Sequence, residues 1–180
     1  MNKILLIDGH SILNRAFYGV PPLTNFEGLH TNAVYGFINI MLKSLEDEHA
    51  DYIAVAFDLK APTFRHEMFA EYKGTRKPMP QELHEQVPVI KEVLAAMTIP
   101  VITLEGYEAD DILGTLAKRC QRDGFEVSIL SGDRDLLQLA DEHIKIRMPK
   151  TVKGQTSIEN YYPCLLYTSP TPRDRTRSRM

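Results

Sequence analysis

Four apolar runs in this chain each lead into carboxylates. Lys3 to Ile7 precede Asp8, and Tyr52 to Phe57 precede Asp58. Val101 to Leu104 precede Glu108, Asp110 and Asp111, and Val127 to Leu130 precede Asp133 and Asp135. Ile4-Leu5-Leu6-Ile7 is apolar at every position, as in a strand buried on both faces of a parallel sheet. If the four runs are strands of one such sheet, their carboxyl ends share one edge and all seven acidic side chains gather there. Seven like charges cannot share a site without cations, so the pattern predicts a divalent-metal site.

The segments between the runs read as helices. From Thr31 to Glu48, Val34, Phe37, Ile38, Met41, Leu42 and Leu45 recur at helical spacing, ending in Glu46-Asp47-Glu48. Leu83, Val87, Ile90, Leu94 and Met97 form a second stripe, in which Pro88 predicts a kink or two segments. Ala109 to Arg122 is a third helix, with Ile112, Leu113, Leu116 and Ala117 inward and Gly124 as its stop. The third and fourth runs are expected as strands over Ile99 to Leu104 and Phe125 to Leu130, with a fifth strand possible at Ile144 to Met148 and a short helix over Arg134 to Ala140. Alternating strands and helices predict an α/β fold with a mainly parallel central sheet and helices on both faces. Sites in open sheets of this kind form beyond the carboxyl ends of the strands, where the acidic groups fall.

Bulk properties exclude little. The 180 residues suit one domain, 43% are hydrophobic and 25% charged, and the formal net charge of −3 does not advertise a nucleic-acid binder. With two cysteines, Cys120 and Cys164, no disulfide framework is expected, and a reducing, cytoplasmic compartment is. No apolar stretch approaches membrane-spanning length. From Pro163 onward the periodicity vanishes and the sequence becomes rich in proline and arginine; residues 163–180 read as a non-native tail, distinct from a domain over 1–162.

An all-carboxylate set, with no His or Cys at matching positions, suits hard cations such as magnesium and argues against zinc. Such sites hydrolyse or transfer phosphate esters. Glu108 and Asp110 would splay apart in mid-helix, but at a strand-to-helix junction both can point at one metal, and Asp133 and Asp135 repeat this arrangement in SGDRD. Each group has a plainer reading when taken singly. Asp8-Gly9 is a common turn, Asp58 could simply end a strand, and Glu108 to Asp111 could cap a helix. Four such coincidences at one edge favour the metal.

Lys60 to Lys77 interleaves Phe64, Phe69 and Tyr72 with Lys60, Arg65, Lys73, Arg76 and Lys77, a composition suited to phosphate contact and base stacking. A solvated surface segment has the same composition, and only its position after Asp58 tips the balance. Lys73 and Arg76, three apart, would share a helix face and could reach a phosphodiester held over the metals. Arg15 and Tyr18 either add phosphate contacts or are a surface Arg beside a half-buried Tyr. His10, His30, His66 and His84 share no ligand spacing and are expected in surface or packing roles. Met41, Met68, Met79 and Met97 are expected to fill core.

The segments LLIDGHSILNRAFYG, AVYGF, VAFDLKAPTFRHEMFAEYKGTRKPMPQEL, GYEADDILGTLA and ILSGDRDLLQL occur in order with fitting gaps. They resemble the 5′-nuclease domain of bacterial DNA polymerase I and, more broadly, the flap-endonuclease-like family with its PIN-like core. The resemblance spans about residues 3 to 162. It implies a magnesium-dependent 5′-3′ exonuclease and flap endonuclease, with manganese able to substitute. The implied substrate is DNA with a 5′ flap, nick or gap, or an RNA primer on DNA, and the implied state is a monomer free of membrane. It implies Asp8, Asp58, Glu108 and Asp110 as first-metal ligands. Asp133 and Asp135 would help hold a second metal, with Asp111 a ligand or its neighbour. Tyr72, Lys73 and Arg76 match the arch segment, about residues 60–80, that threads the single strand and contacts the scissile phosphate. Gly9, Arg15 and Arg65 lie within matching motifs.

The chain departs from the family after ENYY, where further second-metal ligands and a helix-hairpin-helix are expected. The second metal cage is therefore expected to be incomplete and cleavage by this polypeptide feeble. Two other readings compete. A magnesium-dependent phosphatase with Asp8 as nucleophile would want a second Asp at position 10, which is His. A module that binds nucleic-acid ends without cleaving them is the other.

Overall fold

The computed structural model describes residues 2–59, 79–152 and 155–162. Its element order is β1 (Lys3–Asp8), α1 (Gly9–Gly19), α2 (Asn32–Glu48), β2 (Tyr52–Ala56), α3 (Gln81–His84), α4 (Gln86–Ala96), β3 (Val101–Ile102) and α5 (Ala109–Arg122). There follow β4 (Glu126–Leu130), a 3-10 helix (Arg134–Leu139), β5 (Ile144–Val152) and β6 (Gln155–Tyr161). The strands form one six-stranded sheet in the order β3-β2-β1-β4-β5-β6. The first five run parallel, and β6 pairs antiparallel with β5.

β1 lies at the centre because its side chains are apolar in both directions. Leu5 and Ile7 join Val55, Phe57 and Leu130 on one face, under Ile12, Leu13 and Ala16 of α1, Phe37 and Met41 of α2, and Ile90 and Leu94 of α4. Leu6 turns the other way. It joins Ala54, Val127, Ile129, Ile144 and Ile146 under Ile112, Leu113 and Ala117 of α5 and Leu136 of the 3-10 helix. The period of two along each strand splits the core into two layers with the sheet between them.

Several boundaries differ from the sequence expectation. The third strand is two residues long rather than six. It is an edge strand, preceded by Thr98 at φ 58° and by Pro100, which has no N–H for a ladder. The helix around Pro88 is broken at Glu85 into α3 and α4. Pro88 thus falls in the first turn of α4, where its missing N–H has no intrahelical partner to lose. β5 runs past Met148 to Val152 because Pro149 lies beyond the residues paired with β4. β6 was not foreseen. Met41 is core, but Met79 and Met97 are exposed, so their expected core role is corrected; Met68 lies outside the described residues.

The acidic end of α2 finds its explanation in β5. Carboxylates at a helix C-terminus face the negative end of the dipole. Here Glu48 is buried, and the Arg147 guanidinium, itself 2% exposed, donates to it and to Asp47, the latter at 3.0 Å. Lys145 Nζ lies 2.5 Å from Glu48, and Ser128 Oγ donates to it at 2.6 Å. The network ties α2 to the β4–β5 half of the sheet. Removing one partner of a buried pair leaves a desolvated charge behind, so Arg147→Leu is expected to lower unfolding free energy by about 3 kcal/mol. Lys150→Ala, which breaks an exposed pair with Glu159, should leave the urea midpoint unchanged.

Candidate metal centre

Asp8 is the last residue of β1 and the N-cap of α1. Strand passes to helix with no loop between them, so this carboxylate is aimed at once by the sheet and by the helix start. Its Oδ1 accepts from the Ser11 backbone N–H at 3.1 Å, and its Oδ2 from the Ser131 hydroxyl at 2.8 Å. Ser131 Oγ in turn accepts from the Asp133 N–H at 3.0 Å, and Ser11 Oγ from the Gly132 N–H at 2.9 Å. Two serines thus lock the end of β1 to the end of β4.

Asp58 stands two residues past β2, and its Oδ1 accepts from the Ala109 N–H, the first of α5, at 2.6 Å. Its own N–H donates to His10 Nδ1 at 3.2 Å. At the head of α5, the Asp111 carboxylate accepts from the Glu108 N–H at 3.1 Å, and that of Asp110 from the Asp111 N–H at 2.8 Å. Beyond β4, Asp133 accepts from the Asp135 N–H at 2.9 Å. The capping reading of Glu108 to Asp111 is therefore correct, with Glu108 and Asp111 forming a capping box. It does not compete with the metal reading, since capping orients the groups and a carboxylate oxygen keeps further lone pairs.

Asp8 closes β1, and the other six acidic residues follow the C-terminal ends of β2, β3 and β4 in the parallel part of the sheet. Asp8 sits nearest the middle, and the carboxylates of Asp58 and Asp133 both act on it electrostatically. The set is nevertheless open. Among the described residues, no three His, Cys, Asp or Glu side chains stand close enough together to enclose an ion. Arg65, Tyr72, Lys73, Arg76 and Lys77 lie outside the described residues.

Electrostatics single out Asp8. Burial pushes its carboxyl up to about 6. The Ser11 and Ser131 hydrogen bonds hold it down, and the nearby Asp58 and Asp133 charges push it further up. A hard divalent cation at this edge would offset both the desolvation and the repulsion, so the residues present fit such an ion. Burial pushes the His10 imidazole below its usual range, with Lys91 adding to the effect and Asp58 opposing it.

A polar cavity of about 310 Å³ adjoins the centre, lined by Ser11, Asn14, Arg15, Tyr18, Gly19 and Gly132. Arg15 therefore faces a space beside the carboxylates. Tyr18 is 71% exposed, not half-buried. Sequence reasoning passed over Ser11 and Ser131, whose only signal was adjacency to Asp8 and Asp133 in DGHS and LSGD. His10, expected in a surface or packing role, does pack edge-on against Phe57, and its ring also accepts a hydrogen bond from the Asp58 backbone N–H.

A family model described as 5′-3′ exonuclease, N-terminal resolvase-like domain matches residues 3–162. DNA polymerase I of Bacillus caldotenax is 53% identical over 161 residues, which cover 89% of this chain and 18% of that protein. DNA polymerase I of Bacillus subtilis (strain 168) is 52% identical over 161 residues, with the same coverage of 89% and 18%. The chain thus spans less than a fifth of the length of the curated relatives it matches. Among solved structures, the bacteriophage T5 5′-exonuclease with bound divalent metal ions (zinc) superposes with a TM-score of 0.65 at 18% identity. That match covers 93% of this chain and 60% of the phage protein. The T5 flap endonuclease in a pseudo-enzyme-product complex with DNA and metal ions gives 0.69 at 20% identity, covering 92% and 60%.

Asp8 has a consequence for stability. Its folded-state value of about 6 lies above the ordinary 3.8, so the folded protein binds the extra proton between those values. The metal-free protein is expected to be most stable, as far as this group is concerned, near pH 4 and to lose about 3 kcal/mol as pH rises through 6. Asp8→Asn should flatten that slope in urea titrations at pH 4 to 7.5, and millimolar magnesium should flatten it for the unaltered chain.

Proposed function

The chain belongs to the family of 5′-3′ exonuclease N-terminal, resolvase-like domains, and from that premise we propose that it is the metal-holding part of a magnesium-dependent nuclease acting on DNA 5′ ends. The observation that carries the reading is the placement of Asp8. A carboxyl buried at the end of the central strand, beside two more carboxylates, needs a cation to ionise freely.

Asp8, Asp58, Glu108 and Asp110 would hold one ion, and Asp133 and Asp135 would contribute to a second, with Asp111 bracing the first. Such ions supply a water of lowered pKa and neutralise charge on the phosphate. The chain's own groups do the rest. Ser11 and Ser131 keep Asp8 aimed at the edge. Arg15, on the adjoining cavity, binds a phosphate of the substrate backbone, for which its planar guanidinium is suited. Lys73 and Arg76 supply positive charge to the scissile phosphate as negative charge builds on it. Tyr72 stacks on an unpaired base, and Arg65 and Lys77 add backbone contacts. The substrate proposed is a duplex with a 5′ flap, nick or gap, including one that begins with an RNA primer, in the bacterial cytoplasm.

The test is a 5′-labelled flap duplex incubated with the chain in magnesium or manganese. Asp58→Asn is expected to lower metal-dependent cleavage by about 100-fold or more. An unaffected rate would sink the site assignment. Binding of flap DNA without any product in either metal would favour the end-binding module instead.

A further inference from the structure

His10 is the second residue of α1, two after Asp8. Its side chain is 23% exposed, and its ring meets Phe57 edge-on, with centroids 5.1 Å apart and planes at 80°. The Phe57 ring lies so close over Gly9 that a Cβ there would fall 2.5 Å from its Cζ. Lys91 Nζ, from α4, stands 5.0 Å from the centre of that ring. The histidine is therefore set in a clamp built from α1, the end of β2 and α4.

Within the clamp the Asp58 N–H donates to His10 Nδ1 at 3.2 Å. A backbone amide can only donate, so Nδ1 must present its lone pair, and the hydrogen of the neutral ring sits on Nε2. Asp58 is where the chain leaves the sheet. The Phe57 N–H still bonds the Ile102 carbonyl at 3.0 Å, whereas that of Asp58 bonds a side chain instead. The residue is then held at two points, its amide by His10 and its carboxylate by the Ala109 N–H at 2.6 Å. His10 lies two residues past Asp8, in the first turn of α1, so this N–H···N bond couples the ends of β1 and β2.

We propose that His10 is a positioning residue. Through Nδ1 its neutral imidazole holds the Asp58 backbone in the turn that aims this carboxylate at the metal edge and fixes its spacing from Asp8. The proposal rests on the reading of Asp58 as a metal ligand. Gly9 and Phe57 serve the same end, because a side chain at position 9 would displace the ring that backs the imidazole.

The test is heteronuclear NMR on the whole chain, with two variants. His10→Asn places its Oδ1 where Nδ1 stood, and His10→Leu fills the space without an acceptor. The unaltered ring is expected to show the Nε2–H tautomer and a nitrogen–nitrogen coupling across to the Asp58 amide. Exchange of that amide should rise about tenfold in His10→Leu and stay near the unaltered rate in His10→Asn. Magnesium affinity, followed at the Asp58 signal, should fall about tenfold in the first variant and recover in the second. An Nδ1–H tautomer, or an Asp58 amide that exchanges alike in all three chains, overturns the proposal. The tautomer of the unaltered chain decides the matter even where His10→Leu does not fold. Magnesium that leaves the Asp58 signal unmoved in the unaltered chain overturns the metal reading instead, while the tautomer and the exchange rates still judge the hydrogen bond.

Discussion

Asp8 ends the central strand almost out of contact with water, and the arrangement around it answers the cost of a charge in that place. Desolvation disfavours its ionised form, and the Asp58 and Asp133 carboxylates add to that. Against this stand a helix N-terminus and two hydrogen bonds, one from the Ser131 hydroxyl and one from the Ser11 backbone N–H. The balance leaves the site short of positive charge. A cation is thus the natural complement of the fold at this edge, and a phosphodiester is a natural ligand of the cation.

The sheet makes that concentration of charge possible. β1 is flanked by β2 on one side and β4 on the other, both parallel to it. Asp8, Asp58 and Ser131 therefore leave neighbouring strands at the same edge, and the helices that follow supply N–H groups to orient the carboxylates. Over β4 and β5, at the C-terminus of α2, a buried carboxylate is met differently. Glu48 is neutralised by protein cations, Arg147 and Lys145, and is closed to solvent. Glu48 is sealed within the fold, whereas the carboxylates at the metal edge are left open.

Much of this was legible in the residues. Uniform apolar runs at 4–7 and 53–57 mark strands buried on both faces, and Leu113 and Ala117 mark the buried side of α5, because burial imposes a period on the sequence. Short edge elements were less legible. Val101–Ile102 makes few demands on its neighbours, and β6 pairs on one side only with β5, so neither leaves a strong pattern. Ser11, Ser131 and His10 were hidden for another reason. Their partners lie 123 positions away in the case of Ser131 and 48 in the case of His10, and a polar side chain near a motif looks the same whether or not it meets such a partner.

The sequence by itself determined that carboxylates follow successive strands of a parallel α/β sheet, since strand direction carries them to one edge whatever the details. It also marked the chain, through its motifs, as akin to 5′ nucleases. Only the tertiary structure decided which carboxylate bears the electrostatic strain, which serines and which histidine hold the set in place, and that the acidic end of α2 belongs to a sealed ion pair. Those outcomes depend on desolvation and on distances of about 3 Å between residues far apart in the chain, and one-dimensional spacing does not encode them.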